Sequence, residues 1–543
     1  MNSILVNKPK KNNFDLSHEV KMTGNMGYLM PCFIQDVIPG DSFKVDTQQL
    51  VRFSPLLAPM MHNVDFKLDY FFVPYRLVWD EWKDFITGGE DGNDLPSYPR
   101  FQVNTTNSGY LLKSSLADYL GVPPTTSAAG TEGGAWNNAS TGTQYLSLLP
   151  FRAYQLIYHE YFRDQNVGTE YTQHTDSGIE TSTVDLDDQL GIRRTNWEKD
   201  YFTSSLPFLQ RGGEVTLPLG DLAPIVYGDY DSITDGTNND YQYFRKPWSI
   251  DPAGYLPIDS PTSNVNSILA NGNDTTYANI DLSGSHAVDL SSATGATINE
   301  LRKASALQKW LELMARAGSR YREQIYAIFG EKIPDYTVQI PKYLGGGKTP
   351  IMISEVLSTY SNSSVAGDAP TGDMTGHALA LGDNIGFTES FDEHGIILGL
   401  CRVVPKASYV QGLNRFWQKF DKFDHYFPQF ANLGEQEVYN KEIYVEGNTD
   451  DESIFGYQQR YAEYKYSQNR IAGDFRDSLA HWELSRRFTG GAPLLNQSFI
   501  ECDESEVNRI FAINNEDDKI WMSLYHKVNA IRPIPYFSNP SLT

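Results

Sequence analysis

Residues 64–70 read Val-Asp-Phe-Lys-Leu-Asp-Tyr. Val64, Phe66, Leu68 and Tyr70 alternate strictly with Asp65, Lys67 and Asp69. A period of two is that of a strand with one face in a core. Residues 395–404, GIILGLCRVV, are almost wholly apolar over the length of a strand, which predicts burial on both faces. Further strands are predicted over 43–53, 213–219, 335–341, 440–446 and 518–530, so strand signals run from one end of the chain to the other. Many short antiparallel strands joined by long loops describe an all-β sandwich or jelly roll.

Composition agrees. The chain has 543 residues, and length alone suggests two to four domains. It carries 33 Tyr, 43 Gly and 28 Pro with only 21% charged residues, a mixture that favours strands and ordered loops. The net charge of -24 repels polyanions at long range. That excludes a protein whose whole surface grips nucleic acid and leaves room for a local basic face. Three cysteines, Cys32, Cys401 and Cys502, provide neither a disulfide framework nor a zinc ligand set, which fits a reducing compartment. No apolar run follows the lysines of MNSILVNKPKKNN, and no stretch has the apolar length of a membrane span. The expectation is a soluble protein made in a cytoplasm, without a secretory signal or membrane insertion.

One helix is explicit. Thr297-Ile-Asn-Glu300 is a capping box, and Leu301, Ala304, Leu307, Leu311 and Met314 follow at helical spacing. Gly318 weakens its middle and Gly330 is its expected stop. A second helix is predicted over 474–488, with Phe475, Leu479, Trp482 and Phe488 on one side. Three long loops remain. Residues 88–145 are rich in Gly, Ser, Thr and Asn, and 165–195 are polar. The largest, 212–299, holds two basic residues, Arg245 and Lys246, against eleven acidic ones, a net of -9. Its aromatics Tyr227, Tyr230, Tyr241, Tyr243, Phe244 and Trp248 predict a folded insertion rather than a disordered one.

Catalytic patterns fail on inspection. Leu344-Gly-Gly-Gly-Lys-Thr349 ends like a phosphate loop, but Lys342 stands where the pattern needs glycine, so a tight turn is the expectation. His159-Glu160 lacks the second histidine of a zinc-protease helix. Asp91, Asn93 and Asp94 lack calcium-loop spacing. Asp392-Glu393 and Asp450-Asp451 lie in polar loops, where adjacency in sequence says nothing about the spacing that glycoside hydrolysis requires. No catalytic residue, metal or cofactor is expected.

Cations cluster in three places. Lys8, Lys10 and Lys11 form a basic arm over 1–13, with no acid before Asp15. The segment 415–427, RFWQKFDKFDHYF, interleaves Arg415, Lys419 and Lys422 with Phe416, Trp417, Phe420 and Phe423. Such interleaving suits phosphates and unpaired bases, and equally suits a packed aromatic segment with cations laid over the rings. Segment 457–488 adds Arg460, Lys465, Arg470, Arg476, Arg486 and Arg487 among acids.

Several long runs resemble one family. Phe14-Asp-Leu-Ser-His-Glu19, Pro39-Gly-Asp-Ser-Phe-Lys-Val45 and FSPLLAPMMHNVDFKLDYFFVPYRLVWDEWKDFITGG (53–89) are similar to the opening of major capsid proteins of the Microviridae, gokushoviruses in particular. LPFRAYQLIYHEYFRDQN (149–166), WEKDYFTSSLPFLQRG, ALQKWLELMARAGSRYREQI, FDKFDHYFPQFANLGEQEVYNKEIY (420–444), FGYQQRYAEYKYSQNRIAGDFR (455–476) and the tail 499–535 follow in the family's order. The resemblance covers most of the chain outside 90–145 and 212–299. It implies an eight-stranded antiparallel jelly roll over 1–211 and 300–543, with long insertions including 88–145. It implies about sixty copies closing into a T=1 shell around circular single-stranded DNA. The implied partners are further copies of the chain, the genome, a small basic DNA-packaging protein, an internal scaffolding protein, a DNA pilot protein and a host receptor. The 212–299 insertion would form a threefold protrusion that carries the aromatics named above. Lys8, Lys10, Lys11, Arg415, Lys419 and Lys422 become candidate interior contacts to DNA or the packaging protein. The competing reading, a secreted carbohydrate-active or lectin-like β protein, needs the signal peptide that the N-terminus does not suggest.

Overall fold

The alternation at Val64–Tyr70 belongs to an eleven-residue strand in the computed structural model, which describes residues 9–104, 107–124, 144–216, 297–359, 371–513 and 517–537 and the backbone of four short strands within 225–288. Contacts divide the chain into two units, Met1–Arg211 with Glu312–Thr543, and Gly212–Leu311.

The two main sheets of the first unit hold ten strands: β1 (Asn12–Asp15), β2 (His18–Gly24), β3 (Met30–Val37), β4 (Ser42–Phe53), β5 (Val64–Pro74), β6 (Lys342–Pro350), β7 (Met352–Leu357), β8 (Met374–Ser390), β9 (Gly395–Pro405) and β10 (Ile520–Arg532). One sheet runs β2-β10-β4-β8-β7, with β1 also on β10; the other runs β3-β9-β5-β6. Every ladder among these strands is antiparallel.

The inner faces of the two sheets share one core. Phe43, Val45 and Val51 of β4 and Leu524 and Val528 of β10 meet Phe66 and Leu68 of β5 and Ile397 and Val403 of β9. Val64, Phe66, Leu68 and Tyr70 are all buried, as their alternation predicts. Full burial of one such side chain stabilises by roughly 1.5–3 kcal/mol. Strand β9 is covered on both sides. Its Ile397, Cys401 and Val403 enter the shared core, while Ile396, Leu398 and Leu400 enter a second core with Trp79 and helix α1 (Leu149–Ile157). Helix α1 opens on Pro150, whose missing N–H would have had no helical partner there. A third cluster joins Tyr201 and Phe202 to a hairpin of Glu435–Tyr439 and Ile454–Gln459. Cys32, Cys401 and Cys502 are buried free thiols.

Several expectations need correction. Residues 335–341 hold a helical turn, Asp335–Val338, because Pro334 and Asp335 make a helix start, and the strand begins only after Pro341. Asn440–Ile443 is also a helical turn, closed by the Tyr439 amide donating to the Glu442 carboxylate at 3.2 Å. Residues 213–216 form no element, and 217–219 lie outside the described residues. The capping box is present: the Thr297 amide donates to Glu300 at 2.7 Å and the Glu300 amide to Thr297 Oγ1 at 3.2 Å. The helix it starts, α2 (Ile298–Ala317), stops at Gly318, where φ is +101°, and a separate α3 (Tyr321–Phe329) ends at Gly330. Residues 474–488 contain two short 3-10 turns, Gly473–Arg476 and Ala480–Trp482, rather than a helix. Four consecutive side chains, Glu483 to Arg486, are buried, and a helix could bury only one face of such a run. The polar stretch 165–195 contains a helix, Thr183–Leu190, capped by Ser182. The Gly345-Gly-Gly347 run is not a turn but lies inside β6. A Cβ at Gly346 would stand 2.7 Å from the Leu68 carbonyl oxygen, and one at Gly345 would stand 2.9 Å from that of Gly386. These glycines let β6 approach β5 and the facing sheet closely.

Candidate functional site

The interleaved segment at 415–427 folds as two 3-10 turns held by its own polar side chains. Asn414 accepts the Phe416 amide at 2.8 Å, opening the turn Arg415–Gln418. Asp424 accepts the amides of Phe420 at 3.0 Å and Asp421 at 2.9 Å, fixing the turn Lys422–Asp424.

Two of its three cations point inward. Arg415 donates to the Glu437 carbonyl at 2.6 Å and to Glu442 at 3.0 Å. Glu442 is buried and also accepts the Tyr201 hydroxyl at 3.0 Å. Burial pushes its carboxyl above the usual range, with Arg415 pulling the other way. Lys419 reaches Glu463 at 3.3 Å and stands 3.7 Å above the Tyr464 ring. Lys422 is exposed, 4.9 Å from the Phe423 ring centre. The rings have the opposite fate. Phe416 is 69% exposed, Trp417 68% and Phe420 90%, while Phe423, Tyr426 and Phe427 lie between 41% and 52%. Reading the sequence alone missed this inversion, because Glu442 and Glu463 lie far along the chain from the cations they neutralise.

The cations of 457–488 are largely structural. Arg486 is buried, bidentate to Glu506 at 2.8 and 3.0 Å, and packed on the Phe499 ring at 4.4 Å. Arg487 pairs with Glu483 at 2.7 Å, and Arg476 donates to the Val410 carbonyl at 2.7 Å.

The basic arm is placed differently. Lys8 lies outside the described residues; Lys10 is exposed and Lys11 donates to the Gly40 carbonyl. The arm runs into β1, on the flank of β10. The outward face of that sheet is solvent-exposed at Lys21, Lys44, Arg52, Lys527, Trp521 and Tyr525. Of the insertion aromatics, Tyr227 and Tyr241 fall in short strands described by backbone alone. Tyr230, Tyr243, Phe244 and Trp248 lie outside the described residues.

Between the sheets, His526 forms a polar island that sequence reading also missed. Its Nε2 donates to the Cys32 carbonyl at 3.0 Å, and its Nδ1 accepts from Thr47 at 2.9 Å, with the Tyr70 hydroxyl bonded to the same Thr47 oxygen. The available signal was position: His526 sits on the apolar stripe Ile520, Met522, Leu524, Val528, Ala530. Burial, then the neighbouring His18, hold its pKa down at about 4. His159, half of the failed zinc motif, is likewise held near 4 by burial and by Arg163 and Arg320. Among the described residues no group of three or more His, Cys, Asp or Glu could hold a metal ion, and no helix is long and apolar enough to cross a membrane.

Charges turned inward and rings turned outward, on antiparallel sheets with few helices, suit a protein whose surface meets other protein, as in a viral capsid β-protein. Residues 3–542 match the profile of the family described as Capsid protein (F protein). The chain is 34% identical to capsid protein VP1 of Chlamydia phage 1, covering 98% of this chain and 96% of that one. It is 34% identical to capsid protein VP1 of Bdellovibrio phage phiMH2K (98% and 95%) and 30% identical to that of Spiroplasma virus 4 (97% and 94%). The chain belongs to the F-protein family of phage capsid proteins. It is a structural, non-enzymatic major capsid protein of the Microviridae type, located in the virion, where copies assemble into a shell.

Proposed function

We propose that the two sheets are the halves of an eight-stranded jelly roll, and that about sixty copies close into a T=1 shell around circular single-stranded DNA. The strand order carries this reading. Taken in chain order, β2, β3, β4, β5, β6, β8, β9 and β10 fall as first-eighth-third-sixth in one sheet and second-seventh-fourth-fifth in the other. That is the wrap of a double Greek key. A map of purified particles tests it; a subunit count far from sixty, or a subunit in which these eight strands do not pack as two facing sheets in that order, overturns it.

The genome-facing surface in this reading is the lysine arm with the sheet it flanks. Its observation is Lys44 and Arg52 on an otherwise acidic chain, joined by Lys21, which pairs with Glu19 at 3.5 Å, and Lys527, which stands opposite Asp46, with Trp521 and Tyr525 on the same face for stacking. A small basic packaging protein supplies the remaining positive charge, and scaffolding and pilot proteins complete the interior partners. Replacing Lys10 and Lys11 by Gln lowers the packaged genome without loss of shells; a map with the arm on the outer surface refutes the placement.

The insertion 212–299 is the threefold protrusion and the host-attachment surface. Its net charge of -9 favours solvent, and the separate contact unit Gly212–Leu311 supports self-packing. Particles carrying a short linker in its place adsorb poorly to host cells; normal adsorption rejects the attachment role.

A further inference from the structure

We propose that the exposed aromatic surface at Phe416–Phe427 is a contact between subunits, occupied in the shell by a second copy of this chain. The inference rests on shell formation and names one of the faces that forms it.

Area argues first. Taking an aromatic side chain at about 200 Å², the uncovered parts of Phe416, Trp417, Phe420, Phe423, Tyr426 and Phe427 amount to roughly 700 Å². Leu413 and Leu433, at the two ends of the segment, are exposed as well. A typical monomer's largest apolar patch is about 300–600 Å², and a stable interface covers about 800 Å² on each partner. One segment therefore supplies most of one side of an interface.

Charge selects the occupant. A surface that stacks unpaired bases must also neutralise their phosphates. Here Arg415 is committed to Glu442 and Lys419 to Glu463 and Tyr464, while Asp421 is exposed beside Lys422. The rings thus stand in a nearly neutral field. Aromatic enrichment with charge depletion is the composition of a protein–protein interface core. Rigidity fits too. The two turns are closed by Asn414 and Asp424 within the subunit, so the rings are presented with little further ordering on contact.

The test places a photo-crosslinking benzophenone analogue of phenylalanine at position 420 and irradiates purified particles. The expected product is a covalent dimer of the chain, mapped by peptide sequencing to a second subunit. A nucleic-acid adduct, an adduct to another virion protein, or no adduct overturns the proposal. In parallel, Phe420→Ser and Trp417→Ser are combined. These side chains are mostly exposed, so the isolated subunit keeps the parental melting temperature while particle yield falls at least tenfold. Normal yield of full particles overturns the proposal, and so does normal yield of empty ones, which would assign the rings to the genome. Parental particles prepared alongside report shell formation itself, so failure of the assembly reading is distinguished from failure of this contact.

Discussion

Lowering the pH from 7 to 4.5 should destabilise the isolated subunit through His526, by an amount the structure sets. The imidazole is fully buried between the sheets, with Nε2–H on the Cys32 carbonyl and Nδ1 accepting from Thr47. A second proton would take the Nδ1 acceptor away and put a charge beside His18, Phe33 and Tyr70. The folded pKa is therefore about 4, against 6.5 for the unfolded chain. A depressed folded pKa gives stability that is complete above 6.5 and is lost as pH falls towards 4, because only the unfolded chain takes up the proton in that window. The slope is about 1.4 kcal/mol per pH unit, and the total is about 3 kcal/mol, a large part of the 5–15 kcal/mol typical of a folded domain. His159 and His62, both with depressed pKa values, contribute with the same sign, so the measurement must be a difference. Urea unfolding of the parental chain and of His526→Gln, from pH 4.5 to 7.5, isolates it. The variant should lose stability at pH 7.5 and lose about one proton's worth of slope between pH 4.5 and 6.5. Equal slopes in the two proteins would refute the reasoning.

Other substitutions probe the remaining supports. Phe66→Asp places an unpaired carboxylate in the core shared by both sheets, costs several kcal/mol, and should abolish soluble subunits; normal particle yield would show that the strand does not face that core. Arg415→Ala leaves Glu442 buried without its cation and should cost about 3–5 kcal/mol, while Arg415→Met with Glu442→Gln should recover most of it; equal unfolding midpoints for single and double variants would contradict this. Gly346→Ala must push strand β6 off the Leu68 carbonyl and the Asp69 carboxylate, and should cost about 1–3 kcal/mol by thermal melting, whereas an unchanged melting temperature would deny the close approach.

The sequence alone determined the strands whose pattern is local. Val64 to Tyr70 reads as a half-buried strand because successive side chains of a strand point to opposite faces, and β9 reads as doubly buried because Arg402 alone interrupts its apolar run. The capping box at Thr297 was legible for the same reason: donor and acceptor lie three residues apart. The long runs that resemble the capsid family carried the function, and the full-length matches agree with them. Tertiary structure decided everything that depends on distant partners. It turned Arg415 towards Glu442 and Lys419 towards Glu463, leaving rings where cations were expected to face outward. It made a strand of Gly345–Gly347, because close approach to β5 and the facing sheet is invisible until both are in place. It broke 474–488 into short turns, because neighbouring elements bury Glu483 to Arg486 in succession, a run of which a helix could bury only one face. Local periodicity fixes which residues can share a face; only packing decides what that face meets, and a capsid subunit acts through what its faces meet.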